Sequence, residues 1–204
     1  MLVSDNGYDF TKIAEYFHCD YVHKNKGVYS AEKPPYVMET KEDVWEMLDR
    51  IKVCCEKYSE ADWILFFEDD VFTRARIKCP PPASMGGPCT CDFTLALKDS
   101  ILKKYPWLQI NGYSGCGGTI FHRNSYLKCM ENPIDLDEVQ QLDDRVRWYS
   151  DALLTYLFLY NGFENKPWAD HSESSRGRGR CDAAFDHRYK EHYNKPWNDS
   201  MIGQ

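Results

Sequence analysis

Residues 63–70 read Trp-Ile-Leu-Phe-Phe-Glu-Asp-Asp, and the abrupt switch from WILFF to EDD decides the fold class. A continuous apolar run bounded by polar residues suits a strand buried on both faces. Ligands of open α/β sheets gather beyond the carboxyl ends of the strands, where this triplet falls. Side chains alternate along an extended segment, which sends Glu68 and Asp70 one way and Asp69 the other. Two carboxylates on one side of a sheet edge make a hard oxygen site for Mg²⁺ or Mn²⁺. The plainer reading of the same residues is a solvated turn.

Outward from this strand, helix and strand signals alternate. Towards the N-terminus, Thr40-Lys41-Glu42-Asp43 resembles a helix start with an acidic third position. Val44, Leu48, Ile51, Cys55 and Tyr58 then mark a long amphipathic helix. Residues 24–35 are polar, with Gly27 and two prolines, and read as a loop. Residues 1–28 read as strand, helix, strand: an apolar start, a turn at Asp5-Asn6-Gly7, and Phe10, Ile13, Ala14 and Phe17 on one helical face. Towards the C-terminus, residues 77–91 are rich in Pro, Gly and Cys and read as an irregular insertion. Residues 93–97 are a strand or the start of a helix ending near Tyr105. Residues 109–121 form a glycine-rich loop feeding the strand Thr119-Ile120-Phe121. Residues 143–160 are helical by period, and Asn161-Gly162 closes the helix. Residues 169–180 are polar and Arg/Gly-rich, so a mobile segment is expected. Residues 183–185 make a last short strand. Alternating elements of this kind predict an α/β layer fold with a largely parallel sheet.

Composition narrows the function classes. The chain has 204 residues, which suits one domain or two small ones, and 15% of them are aromatic, so it folds around a real core. The 25 basic residues are outnumbered by 32 acidic ones, which argues against sequence-independent nucleic-acid binding. No apolar run nears the roughly 20 residues of a membrane span. The start MLVSDNG has neither a basic region nor an apolar one, so no signal peptide is expected. Nine cysteines is an odd count that does not suit a fully paired secreted framework. Cys79, Cys89 and Cys91 bracket CPPPASMGGPCTC, where packed thiols, a local disulfide and a zinc site all stay open, with reduced thiols favoured. A reducing compartment fits best, so the expected location is the cytoplasm, that of a host cell if the chain is viral.

The hhhhEDD strand, the glycine-rich GGTIF strand and the Ser150-Asp151 helix start together resemble the GT-A glycosyltransferases. LVSDNG resembles that family's second strand, HKNKG the loop after its third, and AAFDHRYKEHYNKPW its C-terminal metal-ligand segment. The order is the family's own and spans most of the chain. In style the sequence is similar to the small glycosyltransferases of large algal viruses. The resemblance implies a GT-A, Rossmann-like three-layer sandwich with a mostly parallel central sheet. It implies one domain over residues 1–204, with a donor-binding part over 1–76 and an acceptor and catalytic part over 77–204. The family's sheet ordinarily begins one strand earlier, so the first strand of the fold is expected to be missing or supplied from elsewhere.

The resemblance also assigns roles. Glu68 and Asp70, in a DxD-type motif, hold Mn²⁺ or Mg²⁺ with His187, and Asp69 lies beside them. Asp5 contacts the nucleoside, and Lys24 or Lys26 lies near the base or phosphates. Gly117 and Gly118 let the backbone approach the donor sugar or acceptor. Asp151 is the general base of an inverting hexosyltransferase, and Lys190 or Lys195 steadies the diphosphate of a nucleotide-sugar donor, expected to be UDP-linked. The acceptor is a glycan hydroxyl. Each role has a plainer counterpart: Asp151 favouring its helix dipole, His187 an ordinary surface residue with His171 and then His192 as rival ligands, Gly117-Gly118 a tight turn, and Arg176, Arg178 and Arg180 a solvated run rather than a lid. Two other functions compete: a sugar nucleotidyltransferase, and a non-catalytic module that binds a nucleotide sugar or glycan.

Overall fold

The computed structural model describes residues 1–4, 9–23, 40–67, 71–81, 83–87, 96–110, 112, 114, 118–143, 146, 148–172 and 182–187. Among them, in chain order, are β1 (Leu2–Ser4), α1 (Thr11–Tyr16), β2 (Tyr21–His23), α2 (Lys41–Lys57), β3 (Trp63–Phe66), β4 (Val71–Thr73), β5 (Met85–Gly87), α3 (Ala96–Lys104), β6 (Thr119–His122), α4 (Arg123–Glu131), α5 (Leu136–Leu142), α6 (Ser150–Tyr160), β7 (Asn165–Pro167), β8 (His171–Ser172) and β9 (Phe185–His187). The architecture is mixed α/β. No described helix is long and apolar enough to cross a membrane. The chain divides into two compact units, one of Met1–Val37 with His192–Gln204 and one of Met38–Glu191.

In the first unit β1 and β2 pair in parallel, Leu2 with Tyr21 and Val3 with Val22, and α1 connects them. Asp9 starts the helix by accepting from the Thr11 N–H at 2.9 Å and the Thr11 hydroxyl at 2.6 Å. His18 ends it in the left-handed region at φ 50°. The Cys19 N–H then reaches back to the Ala14 carbonyl, which satisfies an orphaned helix acceptor. The strand–helix–strand expectation for this stretch matches the structure.

The second unit is built around α6. Residues 152–158 of that helix are all buried, so it is enclosed on every side. α2 begins with the expected cap: the Thr40 hydroxyl accepts from the Asp43 N–H at 3.1 Å, and the Asp43 carboxylate accepts from the Thr40 N–H at 3.0 Å. Its buried residues are Val44, Leu48, Ile51 and Cys55, the stripe that the periodicity marks. Phe121, Tyr126 and Phe158 meet with ring centroids 5.3–6.2 Å apart. The buried Tyr126 hydroxyl donates to the Leu48 carbonyl at 2.6 Å, and burial raises its pKa well above 10.0. Burial also pushes the thiols of Cys55 and Cys129 up to about 12.

The larger sheet of this unit has the order β3-β6-β5-β7. β6 runs antiparallel to both β3 and β5, and β5 runs parallel to β7. β3, β5 and β7 therefore share one direction and β6 alone opposes them. The expected largely parallel sheet is met only in part: one of the three pairings in this sheet is parallel and two are antiparallel, because apolar runs mark strands without marking their direction. β3 departs from its expected burial on both faces. Ile64 and Phe66 pack on the core, while Trp63, Leu65 and Phe67 stay between 36 and 38% exposed. The three exposed residues alternate along the chain and so share one face of the strand, which the described residues leave partly open. The 77–91 stretch is not wholly irregular: Met85–Gly87 is an inner strand, buried at all three positions. Two glycines hide it from any propensity argument. The helix expected over 143–160 begins only at Ser150, and α4 and α5 lie where no element was anticipated.

A smaller sheet of order β4-β9-β8 completes the unit. β9 pairs antiparallel with β4 and parallel with β8. A second apolar cluster of Ile120, Trp168, Ala184 and Phe185 has Val71 packed against it.

Candidate functional site

The shared direction of β3, β5 and β7 brings their carboxyl ends to one edge, beside the start of β6. Phe66 pairs with Thr119 there, so Phe67, which precedes Glu68, lies across from Gly118. Gly118 has φ +114°, and a Cβ on it would sit 2.6 Å from the His171 imidazole and 3.6 Å from the Phe67 ring. Glycine is required twice over, by the backbone conformation and by the ring packed on it. Gly87, at the end of β5, is equally constrained: its Cβ would meet the Ser114 side chain at 2.7 Å.

The glycine-rich loop is pinned from two sides. The Ser114 hydroxyl donates to the Asn165 side-chain carbonyl at 2.6 Å, tying the loop to β7. The Thr155 hydroxyl accepts from the Ser114 N–H at 2.9 Å and donates to the Ser114 carbonyl at 3.2 Å. Asp151 stands one turn before Thr155 on the same face of α6. It is half-buried in the first helical turn, where the dipole favours a carboxylate, and its Oδ1 accepts from the Ala152 N–H at 2.7 Å.

The smaller sheet carries buried polar groups. In the β4–β9 ladder Val71 pairs with His187, Phe72 with Asp186 and Thr73 with Phe185. Asp186 is fully buried and takes the Arg74 guanidinium on one oxygen and the Ser172 hydroxyl, at 2.7 Å, on the other. Asp170, 1% exposed, accepts from the N–H groups of Lys78 at 2.6 Å and Cys79 at 2.5 Å. The Trp168 indole donates to the Cys79 carbonyl at 3.3 Å. These bonds correct the expectation of a mobile segment over 169–180 for its first part: Asp170, His171 and Ser172 are buried, and residues 173–180 lie outside the described residues.

Of the anticipated site residues, Gly118 and Asp151 are described in full, and His187 is placed by its backbone. Asp5, Lys24, Lys26, Glu68, Asp69, Asp70, Gly117, Lys190 and Lys195 lie outside the described residues. So do His192 and the three arginines of 176–180. Gly118 and the residue before Glu68 meet at the sheet edge, and His187 is set beside the residue after Asp70. Asp151 lies one turn before Thr155, whose hydroxyl holds the Ser114 backbone of the glycine loop. His171 is a buried neighbour of Gly118 rather than part of a polar loop. Arg74, Asp170, Ser172 and Asp186 went unnoticed in the sequence, where no local pattern pairs them. Among the described residues no group of three or more His, Cys, Asp or Glu is placed to hold a metal ion. Cys19, Cys55, Cys79 and Cys129 are free thiols. No protein-family model matches the chain, and neither does any curated protein.

Proposed function

We propose that this chain is a metal-dependent, inverting glycosyltransferase of the GT-A type, moving a sugar from a nucleotide-diphosphate donor, expected to be UDP-linked, to a glycan hydroxyl. The observation that carries the reading is the pairing of Val71 with His187. Paired Cα atoms of antiparallel strands lie about 4.5–5.5 Å apart. The residue following Glu68-Asp69-Asp70 therefore lies beside the imidazole-bearing position, although 116 residues separate Val71 from His187 (187 − 71). Two carboxylates and an imidazole suit Mn²⁺, or Mg²⁺ with a stronger demand for oxygen. A three-layer arrangement draws support from the helices packed on the larger sheet and from the common direction of β3, β5 and β7.

In this reading Glu68, Asp70 and His187 hold the divalent ion, which when bound neutralises charge on the leaving diphosphate. Asp5, Lys24 or Lys26, Asp69, and Lys190 or Lys195 bind the nucleotide part of the donor. Gly117 lets the backbone approach the donor sugar or acceptor, while the space beside Gly118 where a Cβ would stand is taken by the His171 ring. Asp151 takes the proton from the acceptor hydroxyl as its oxygen bonds to the anomeric carbon from the face opposite the diphosphate; the bond from that carbon to the diphosphate oxygen breaks, the nucleoside diphosphate leaves, and the configuration inverts.

Calorimetry of the full chain with Mn²⁺ and UDP tests this. UDP should bind only with Mn²⁺ present, and Asp70→Ala should remove that dependence with an unchanged circular dichroism spectrum. His187→Ala should weaken Mn²⁺·UDP binding by about 1–3 kcal/mol. An Asp70→Ala variant with the parent's Mn²⁺ dependence removes the metal assignment. A product anomer with retained configuration, read by NMR, removes Asp151 as the base.

A further inference from the structure

An Asn-Gly pair can close on itself, because glycine has no side chain to keep its backbone nitrogen away from the asparagine amide. The glycine nitrogen loses its proton and bonds to the asparagine Cγ, the Cγ–Nδ2 bond breaks, and ammonia leaves. Water then opens the cyclic imide at either carbonyl, giving aspartate or isoaspartate. The chain has three such pairs, Asn6-Gly7, Asn111-Gly112 and Asn161-Gly162. Only the third lies wholly within the described residues.

Asn161 caps α6, and the chain turns there in a Schellman motif. Gly162 takes φ +76°, its N–H donates to the Leu159 carbonyl at 3.0 Å, and the Phe163 N–H reaches back to the Phe158 carbonyl at 3.0 Å. A Cβ on Gly162 would meet nothing within 4 Å, so the backbone conformation alone calls for glycine. The Asn161 side chain is engaged at both ends. Its Nδ2 donates to the Leu157 carbonyl at 2.9 Å and to the Asn132 carbonyl at 3.1 Å, and its Oδ1 accepts from the Asn132 Nδ2 at 3.1 Å. Asn132 is itself the C-cap of α4. A pair of amides thus joins the C-terminal ends of two helices.

This junction holds the pair in an unreactive geometry. In the imide the Gly162 nitrogen has to eclipse the Asn161 Cβ about the Cα–C bond. At ψ 13° it nearly eclipses the Asn161 backbone nitrogen instead. The attacking nitrogen carries a hydrogen-bonded proton, and the amide on Cγ is held by three hydrogen bonds. Closure of the ring therefore requires the α4–α6 junction to open. The product cannot restore it. A carboxylate has no N–H to offer the Leu157 and Asn132 carbonyls, and it stands at the negative end of the α6 dipole. Isoaspartate also lengthens the backbone within the turn.

We propose that Asn161 is a conformation-gated deamidation site. The closed α4–α6 junction withholds it, an opened junction lets the Gly162 nitrogen attack, and the resulting acid keeps the junction from closing again. The reaction consumes only water and releases only ammonia, and it turns a reversible opening into a permanent one.

The test incubates the full chain at pH 8 in buffer and in urea. Peptide mass mapping reads each Asn-Gly pair separately, and methyltransferase labelling identifies isoaspartate. In buffer Asn161 should deamidate at least about tenfold more slowly than in urea, in proportion to the open fraction of the junction. Exchange of the Gly162 amide hydrogen needs the same opening, so both rates should rise together as urea is added. Asn132→Ala removes one bond of the junction from an exposed position. It should speed deamidation in buffer about threefold or more, with an unchanged near-UV circular dichroism spectrum. Asn161→Asp should speed exchange of the Gly162 and Phe163 amides by about fivefold or more. Equal rates in buffer and urea, or an Asn132→Ala rate equal to the parent's, overturn the gate. Parent-like protection of Gly162 and Phe163 in Asn161→Asp overturns the one-way step, and an Asn161 that stays intact in urea overturns the site.

Discussion

The helical layer around α6 and the small sheet β4-β9-β8 are both buried, but by different means. Around α6 the interior is almost entirely apolar: Leu153, Leu154, Tyr156, Leu157 and Phe158 are each no more than 1% exposed. In the small sheet Asp170, His171, Ser172 and Asp186 are each 5% exposed or less. The first region is held by surface removed from water, which is non-directional and tolerates small shifts. The second adds to a small apolar cluster around Phe185 a set of hydrogen bonds and a charge pair, which fail when the geometry moves. The region beside the candidate metal residues is the one whose stability depends on bond geometry.

The largest effect should come from the apolar region. Phe158→Ala removes a ring shared with Phe121, Tyr126 and Phe163, and should cost about 3–5 kcal/mol in urea unfolding. A loss below about 1 kcal/mol would mean that the helical layer is looser than its burial implies. Next, Asp170→Ala should cost about 2–3 kcal/mol, because the N–H groups of Lys78 and Cys79 lose their acceptor. The comparison sharpens if its exchange-labelled amides near 78 and 79 open while those of α6 stay protected. A uniform loss of protection would show that the two regions unfold as one.

A smaller effect is expected where α6 meets the glycine-rich loop. Thr155→Val keeps the volume but removes both bonds to Ser114, and should cost about 1–2 kcal/mol. Thr155→Ser should recover most of that, and a failure to do so would point to the methyl group instead. The smallest effect concerns pH. Burial raises Cys55 and Cys129 from an ordinary 9.0 to about 12. Their thiols favour the fold fully below pH 9, and that contribution is lost as pH rises through about 12, since only the unfolded chain ionises them easily. Alkylation at pH 8 should spare both in the folded protein while reaching the partly exposed Cys19 and Cys79. Replacing the pair with alanine should flatten the alkaline end of the stability curve.

The legible parts of the molecule share a local cause. The stripe Val44, Leu48, Ile51, Cys55 and the Thr40 cap lie within 16 consecutive residues (40–55), and helix geometry alone relates them. WILFF read as a strand for the same reason, although its outward face stayed half open. β5 was invisible because Met-Gly-Gly owes its place to the close approach of Ser114 and Thr119, not to any preference of its own. The Arg74–Asp186 pair spans 112 residues, and nothing in either neighbourhood announces the other.

The sequence by itself determined the alternation of helices and strands, the apolar stripe of α2, a helix ending at Asn161-Gly162, and the set of carboxylates, histidines and glycines from which a site is read. These follow from spacing along one element, where the backbone period fixes which residues share a face. Only the tertiary structure decided that β6 runs against its neighbours, that His171 lies on Gly118, and that His187 stands opposite Val71. Those are pairings between distant segments, chosen by how they pack and by the hydrogen bonds they offer to buried polar groups, and no period along the chain encodes that choice.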